Sequence, residues 1–245
     1  MTDNFEKELI KEITNSFEFA ISKENNNRSS NKVNTIHSII AQHLQQLLGC
    51  KYNVVTEYNG KNDKNTKIKG RYNDKKVDIA IKRKNDNKII SGIGIKFPLS
   101  NFHKNKNNYF ENMLGETSNI RSNNIPYFQI MILLKMIPNF SDKKEPIPFT
   151  VVDEKLLENY ATLSKDNITS FFHSPLKTLI LILKDNIKVK KLEFKNKKEY
   201  FDFYKKNPFE FSFSDLDKIK FDSGVILNEY AVFIEKMSYL IKGFE

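Results

Sequence analysis

The sequence predicts a mixed α/β (α+β) fold in which helices flank a mixed central sheet. Three observations predict it. Helical periodicity opens the chain, and three strand patterns follow in quick succession between residues 52 and 97. A helical stretch then separates the third strand from a fourth, as a crossover connection requires. That fourth strand, YFQIMILL at 127–134, is apolar almost without a break and reads as a central strand covered on both faces.

Taken in order, the first helix is expected over about Asp3–Ser22. Phe5, Leu9, Ile13 and Phe17 recur at helical spacing, and Asp3 with Glu6 has capping-box form. KENNNRSSNK (23–32) reads as a loop. The second helix, Val33–Leu48, gathers Ile36, Ile39, Ile40, Leu44, Leu47 and Leu48 on one side, and Gly49 is placed to end it. Strands follow at Tyr52–Tyr58, Val77–Lys82 and Lys88–Phe97, the last two joined by the polar turn KNDN (84–87). The stretch between the first two, GKNDKNTKIKGRYNDKK, reads simply as basic. A helix at Lys104–Ile120 and the strand Tyr127–Leu134 complete an α-β-β-β-α-β order. The Pro-rich EPIPF (145–149) is the expected boundary between residues 1–144 and a C-terminal subregion, 145–245, packed on them. There the patterns give helices at 154–164, 195–206 and 225–242 and a strand at 176–183. This subregion is expected to supply dimer contacts, target recognition or both.

Composition narrows the function. Forty Lys and Arg against 30 Asp and Glu leave a net charge of +10, which points to a polyanionic partner, nucleic acid first. The single cysteine, Cys50, excludes a disulfide scaffold and cysteine-rich zinc folds, and His37, His43, His103 and His173 are too scattered for a classical zinc site. No GxxxxGK[ST] loop is present, so no nucleotide cofactor is expected. No apolar run reaches the roughly 18 residues of a membrane span, and the acidic, amphipathic start is unlike a secretory signal. A cytoplasmic protein without a membrane partner is expected.

One constellation can carry chemistry. Asp78 sits inside the apolar strand VDIAIK, and Lys96 lies near the end of the next strand, in GIGIKF. A hairpin brings two such residues to one end of a sheet. Metal-dependent phosphodiester hydrolysis needs carboxylates to hold Mg²⁺ and a lysine to stabilise charge or orient the attacking water. Over about Val33–Leu134, the element order together with VDIAI and GIGIKF resembles the PD-(D/E)XK nuclease superfamily, particularly its type II restriction endonucleases. The resemblance implies a restriction-endonuclease-like core, Mg²⁺ as cofactor, Asp78 as a metal-binding acid and Lys96 as the catalytic lysine. Two positions depart from the superfamily pattern. Val77 stands where it has proline, and Gly94 stands where it has the second acid. Some members take that carboxylate from the following helix, which here offers Glu111 and Glu116. Glu111 lies in about the second turn, near the strand end, and is favoured. Glu116 lies roughly 140° further round and stands as the substitute. The Ile95 carbonyl is an additional candidate ligand. The superfamily often carries another acid on the first core helix, where this chain has His37 or Gln42 instead. Glu57 is a weaker acidic candidate.

Basic residues adjoin this site along the chain. Lys61, Lys64, Lys67, Lys69 and Arg71 precede Asp78, His103, Lys104 and Lys106 follow Lys96, and Arg121 ends the next helix. Such side chains supply affinity for phosphates without reading sequence. In FKNKKEYFDFYKKNPFEFSF (194–213) cations alternate with aromatics, a pattern that stacks bases or builds core. The expected protein is a type II site-specific deoxyribonuclease acting on double-stranded DNA as a homodimer. Its competitors are a non-catalytic nucleic-acid-binding protein with a degenerate nuclease fold, and a structural protein in which Asp78 and Lys96 coincide by chance.

Overall fold

The computed structural model describes residues 4–22, 33–56, 66–141, 145–187, 194–216 and 218–244. In chain order the elements are α1 (Phe5–Ser22), α2 (Asn34–Leu48), β1 (Tyr52–Thr56), β2 (Lys67–Lys69), β3 (Asp74–Lys76), β4 (Ile79–Arg83), β5 (Ile89–Lys96) and α3 (Phe102–Arg121). There follow β6 (Tyr127–Leu134), β7 (Met136–Asn139), β8 (Ile147–Val151), α4 (Glu158–Leu163), β9 (Thr178–Asp185), α5 (Lys197–Lys206), β10 (Phe211–Phe213), β11 (Val225–Leu227) and α6 (Tyr230–Gly243).

The central sheet runs β1-β4-β5-β6-β9, with β10 and β11 sharing the outer edge of β9. β1, β4 and β5 form an antiparallel meander, whereas β6 is parallel to β5 and β9 is parallel to β6. The expected mixed sheet flanked by helices is therefore present. β6 is buried along its whole length, as its continuous apolar run requires. The polar turn joining β4 to β5 is locked locally. Asp86 accepts from the Arg83 guanidinium at 2.6 Å and from the Lys88 N–H at 3.1 Å, and Asn87 takes up φ +56°.

Several elements differ from expectation for identifiable reasons. The basic stretch before Asp78 contains a two-stranded ribbon, β2–β3, recruited because Ile68 is fully buried against the sheet. EPIPF carries the start of β8, which pairs with β7. Residues 225–227 form a strand rather than the start of a helix, because the edge of β9 offers Thr178–Ile180 as partners. Asn228, at φ +56°, then turns the chain, and its side chain accepts from the Ile182 N–H. β9, β10 and β11 extend the same sheet, so the sheet runs on across residue 145. The aromatics of 194–213 build core: Tyr200, Phe201, Tyr204 and Phe211 are buried, and Phe17 of α1 packs among Tyr204, Phe209 and Phe211.

β5 sets the character of the two sheet faces. Ile93 and Ile95 join Ile79 and Ile81 in the main core, under α1 and α2. Gly92 and Gly94 point the other way, toward a smaller cluster of Val55, Ile68, Val77, Ala80, Ile120 and Tyr127. Among the described residues no helix is long and apolar enough to cross a membrane.

Candidate active site

Asp78 occupies the point where the chain joins the sheet. The Val77 N–H still donates to Thr66 O of the ribbon side (3.1 Å), while the Asp78 N–H donates to Ile93 O of β5 (3.2 Å). Asp78 Oδ2 accepts the Ile95 N–H at 2.6 Å. The carboxylate thus takes the place that a backbone carbonyl would fill if β4 began earlier. In a strand, one residue's N–H and C=O face the same side. The Ile95 carbonyl therefore opens toward the same gap as its N–H. From α2, the buried His37 brings Nε2 to 4.0 Å from Asp78 Oδ1.

Lys96 is half-buried at the end of β5, on the same face as Gly94 and about 7 Å further along. The Gly94 position itself is occupied by neighbours from β6. A Cβ there would lie 2.5 Å from Tyr127 Oη and 2.8 Å from both terminal atoms of the Gln129 amide. A carboxylate at residue 94, where the superfamily pattern would place one, would collide with them.

The two glutamates of α3 fall in different environments. Glu116 is only 16% exposed and forms an ion pair with Lys75 Nζ of β3 at 2.7 Å. Burial pushes the Tyr127 phenol well above its ordinary pKa, and the negative charges of Glu116 and Asp78 push it further. Tyr127 therefore sits in the field of both carboxylates. Glu111 is exposed. The helix begins at Phe102 and buries Met113, Thr117 and Ile120, a stripe that includes Glu116 and excludes Glu111. The signal was present in the sequence, since Met113 and Ile120 bracket Glu116 at i−3 and i+4.

The expected DNA contacts divide similarly. Lys69 and Arg71 are exposed on the ribbon, where Lys67 pairs with Asp74 at 3.0 Å. His103 and Lys104 are exposed and Lys106 half-buried on the first turns of α3, with His103 and Lys106 bordering a hollow with Thr150, Asp153 and Lys155. Arg121 is a correction. It is buried, and its guanidinium donates to the carbonyls of Phe171 (2.9 Å), Ser174 (2.5 Å) and Ile168 (2.5 Å), so it clamps the 168–174 loop and is not offered to DNA. Glu57, Lys61 and Lys64 lie outside the described residues. Tyr127, Gln129 and Lys75, which the structure places beside Gly94 and Glu116, are not among the residues the sequence singles out. The first two read as buried strand, and Lys75 read as one cation among many.

Among the described residues no group of three or more His, Cys, Asp and Glu side chains is arranged to hold a metal ion. Mg²⁺ needs fewer, since it is commonly held by one or two carboxylates, waters and substrate phosphate. Asp78, Glu116 and the Ile95 carbonyl are hard oxygen donors of that kind. Comparison with protein-family models, with curated proteins and with solved structures gives no match to this chain.

Proposed function

We propose that the protein is a Mg²⁺-dependent endonuclease that hydrolyses DNA phosphodiester bonds on a restriction-endonuclease-like core. One observation carries the reading. At the split between β4 and β5, Asp78 and the Ile95 backbone share a gap, Lys96 lies two residues beyond Gly94, and Tyr127 links the neighbourhood of Asp78 to Glu116. Of the two glutamates, Glu116 is the second acid in this reading, replacing the expectation for Glu111.

Asp78, Glu116 and the Ile95 carbonyl would hold the metal. Bound Mg²⁺ polarises a phosphate and lowers the pKa of a coordinated water. Asp78 is held in place by the Ile95 N–H, and Glu116 by Lys75, so neither carboxylate has to be ordered when DNA arrives. The Lys96 ammonium orients the attacking water and balances charge that builds on the phosphoryl oxygens. Water adds to phosphorus and one P–O ester bond breaks, leaving a phosphate monoester on one side and a hydroxyl on the other. The finer assignment is a type II site-specific deoxyribonuclease acting as a homodimer, supported by the exposed basic ribbon beside the site and the net charge of +10.

The test is supercoiled plasmid incubated with the protein in Mg²⁺ or EDTA. Nicking or linearisation that needs Mg²⁺ and is lost in Asp78→Asn is the expected result. A gel shift without cutting would favour the non-catalytic DNA-binding reading instead.

A further inference from the structure

The β2–β3 ribbon enters the site above only through Lys75, which pairs with Glu116, yet its tip is fastened at several points. Ile68 is fully buried beneath it, against Gly92. Gly70 backs onto α3 so closely that a Cβ there would lie 2.2 Å from Asn119 Nδ2. The tip is fastened through its backbone. The Arg71 N–H donates to Asn119 O (2.8 Å), the Tyr72 N–H donates to Asn119 Oδ1 (2.9 Å), and Asn119 Nδ2 donates to Asn73 O (2.9 Å). Asn123 Nδ2 donates to Lys69 O at 2.7 Å. From this base two side chains stand out into solvent. Tyr72 is 78% exposed, and the exposed Arg71 guanidinium lies 5.9 Å from the centre of the Tyr72 ring.

We propose that the ribbon tip enters the major groove of double-stranded DNA and that Arg71 is a specificity-determining residue that reads a guanine. The inference rests on the DNA-binding part of the proposed function and not on cleavage. A two-stranded ribbon matches the roughly 12 Å width of the major groove, and the arginine fork on guanine O6 and N7 is the commonest specific contact there. Phosphate contact asks little of its mount, because a flexible lysine reaches many positions. Base reading asks for a fixed backbone and a pre-oriented fork, and Asn119 and the Tyr72 ring supply these two things. Lys67 and Lys69, on the same ribbon, lie where flanking phosphates would pass. Tyr72 has its large apolar surface in water with no packing role, which suits a ring that is covered only when DNA is bound.

The experiment is selection from a duplex library with a random core, in EDTA so that nothing is cut, with the bound fraction sequenced. Wild type, Arg71→Lys, Tyr72→Ala and Lys69→Gln are compared. Wild type is expected to enrich a motif that includes at least one G·C pair. Arg71→Lys keeps the charge but loses the fork, so its preference at that pair should fall about 10- to 100-fold while the other positions hold. Tyr72→Ala should weaken the same position, and Lys69→Gln should lower binding to every sequence alike. Arg71→Lys with wild-type preference at every position overturns the proposal, as does wild type binding DNA with no enriched motif. Failure of the nuclease reading looks different, because DNA is then bound with its motif and never cut in Mg²⁺. A protein that binds no duplex at all overturns both.

Discussion

On one side of β5, Ile93 and Ile95 are packed into the main core beneath α1 and α2, and on the other Gly92 and Gly94 present no side chain at all. The neighbouring strand repeats the contrast, with Ile79 and Ile81 on the full side and Ala80 on the bare one. The bare side is not empty. Ile68 occupies the space above Gly92, and Tyr127 with Gln129 the space above Gly94. The period-two alternation of GIGIK thus holds the strand rigid from one face and lets side chains from β2 and β6 reach the backbone on the other. The lesson is that the glycines of β5 and the side chains that fill the space above them are one feature. With no side chain at residue 94, the Tyr127 phenol can sit there, where the negative charges of Glu116 and Asp78 act on it.

Alkali should have the largest effect, and it should not separate the two faces. Burial raises the pKa of Tyr127 on the glycine side and of Tyr160, Tyr200, Tyr204 and Tyr230 in the rest of the interior. Unfolded phenols ionise near about 10. A raised folded pKa gives stability that is whole below that pH and is lost as pH climbs beyond it. Tyrosinate absorbance from these residues should therefore appear together with loss of the circular dichroism signal. Ionisation of Tyr127 ahead of unfolding would mean that the glycine face is open to water.

Single substitutions should then tell the faces apart. Ile93→Ala leaves a cavity on the full side and should cost about 2–5 kcal/mol in urea unfolding. Gly94→Ala overfills the bare side and should cost about 1–3 kcal/mol. Tyr127→Phe removes the nearest clashing atom, so the double variant should be more stable than the sum of the two singles allows. Full additivity would show that the phenol is not what fills the space at residue 94. The same clash means that Gly94→Glu cannot simply restore the acid to the strand.

A smaller effect is expected at Asp78. Asp78→Ala orphans the Ile95 N–H and should cost about 1–3 kcal/mol, whereas Asp78→Asn keeps an acceptor and should fold nearly as well as wild type. Loss of cleavage in Asp78→Asn at unchanged thermal stability would separate the chemical role from the structural one. Equal destabilisation by both variants would mark Asp78 as a backbone cap alone.

Much of this architecture was legible in the residues. Apolar spacing predicts α1, α2, β1, β4, β5 and β6, whereas Asp78, expected inside the second of those strands, stands one residue ahead of β4. What escaped detection depends on contacts between distant residues. Lys67–Lys76 has one buried apolar residue within its two short strands, Ile68, too little periodicity to announce a ribbon. Val225–Leu227 fits helix or strand equally until the open edge of β9 decides. Arg121 resembles any surface cation until three loop carbonyls from 168–174 surround it. The difference in burial between Glu111 and Glu116 is readable from the stripe of Met113 and Ile120, whereas the distance of each from the helix start is not a guide to it.

The two glutamates provide the most direct test. Glu111→Gln and Glu116→Gln should be assayed side by side on supercoiled plasmid in Mg²⁺, with thermal unfolding to confirm that both fold. The expected result is cleavage by Glu111→Gln within about a factor of two of wild type, and a loss of roughly 100-fold or more in Glu116→Gln. Undiminished cutting by Glu116→Gln would contradict the account, whichever way Glu111→Gln behaves.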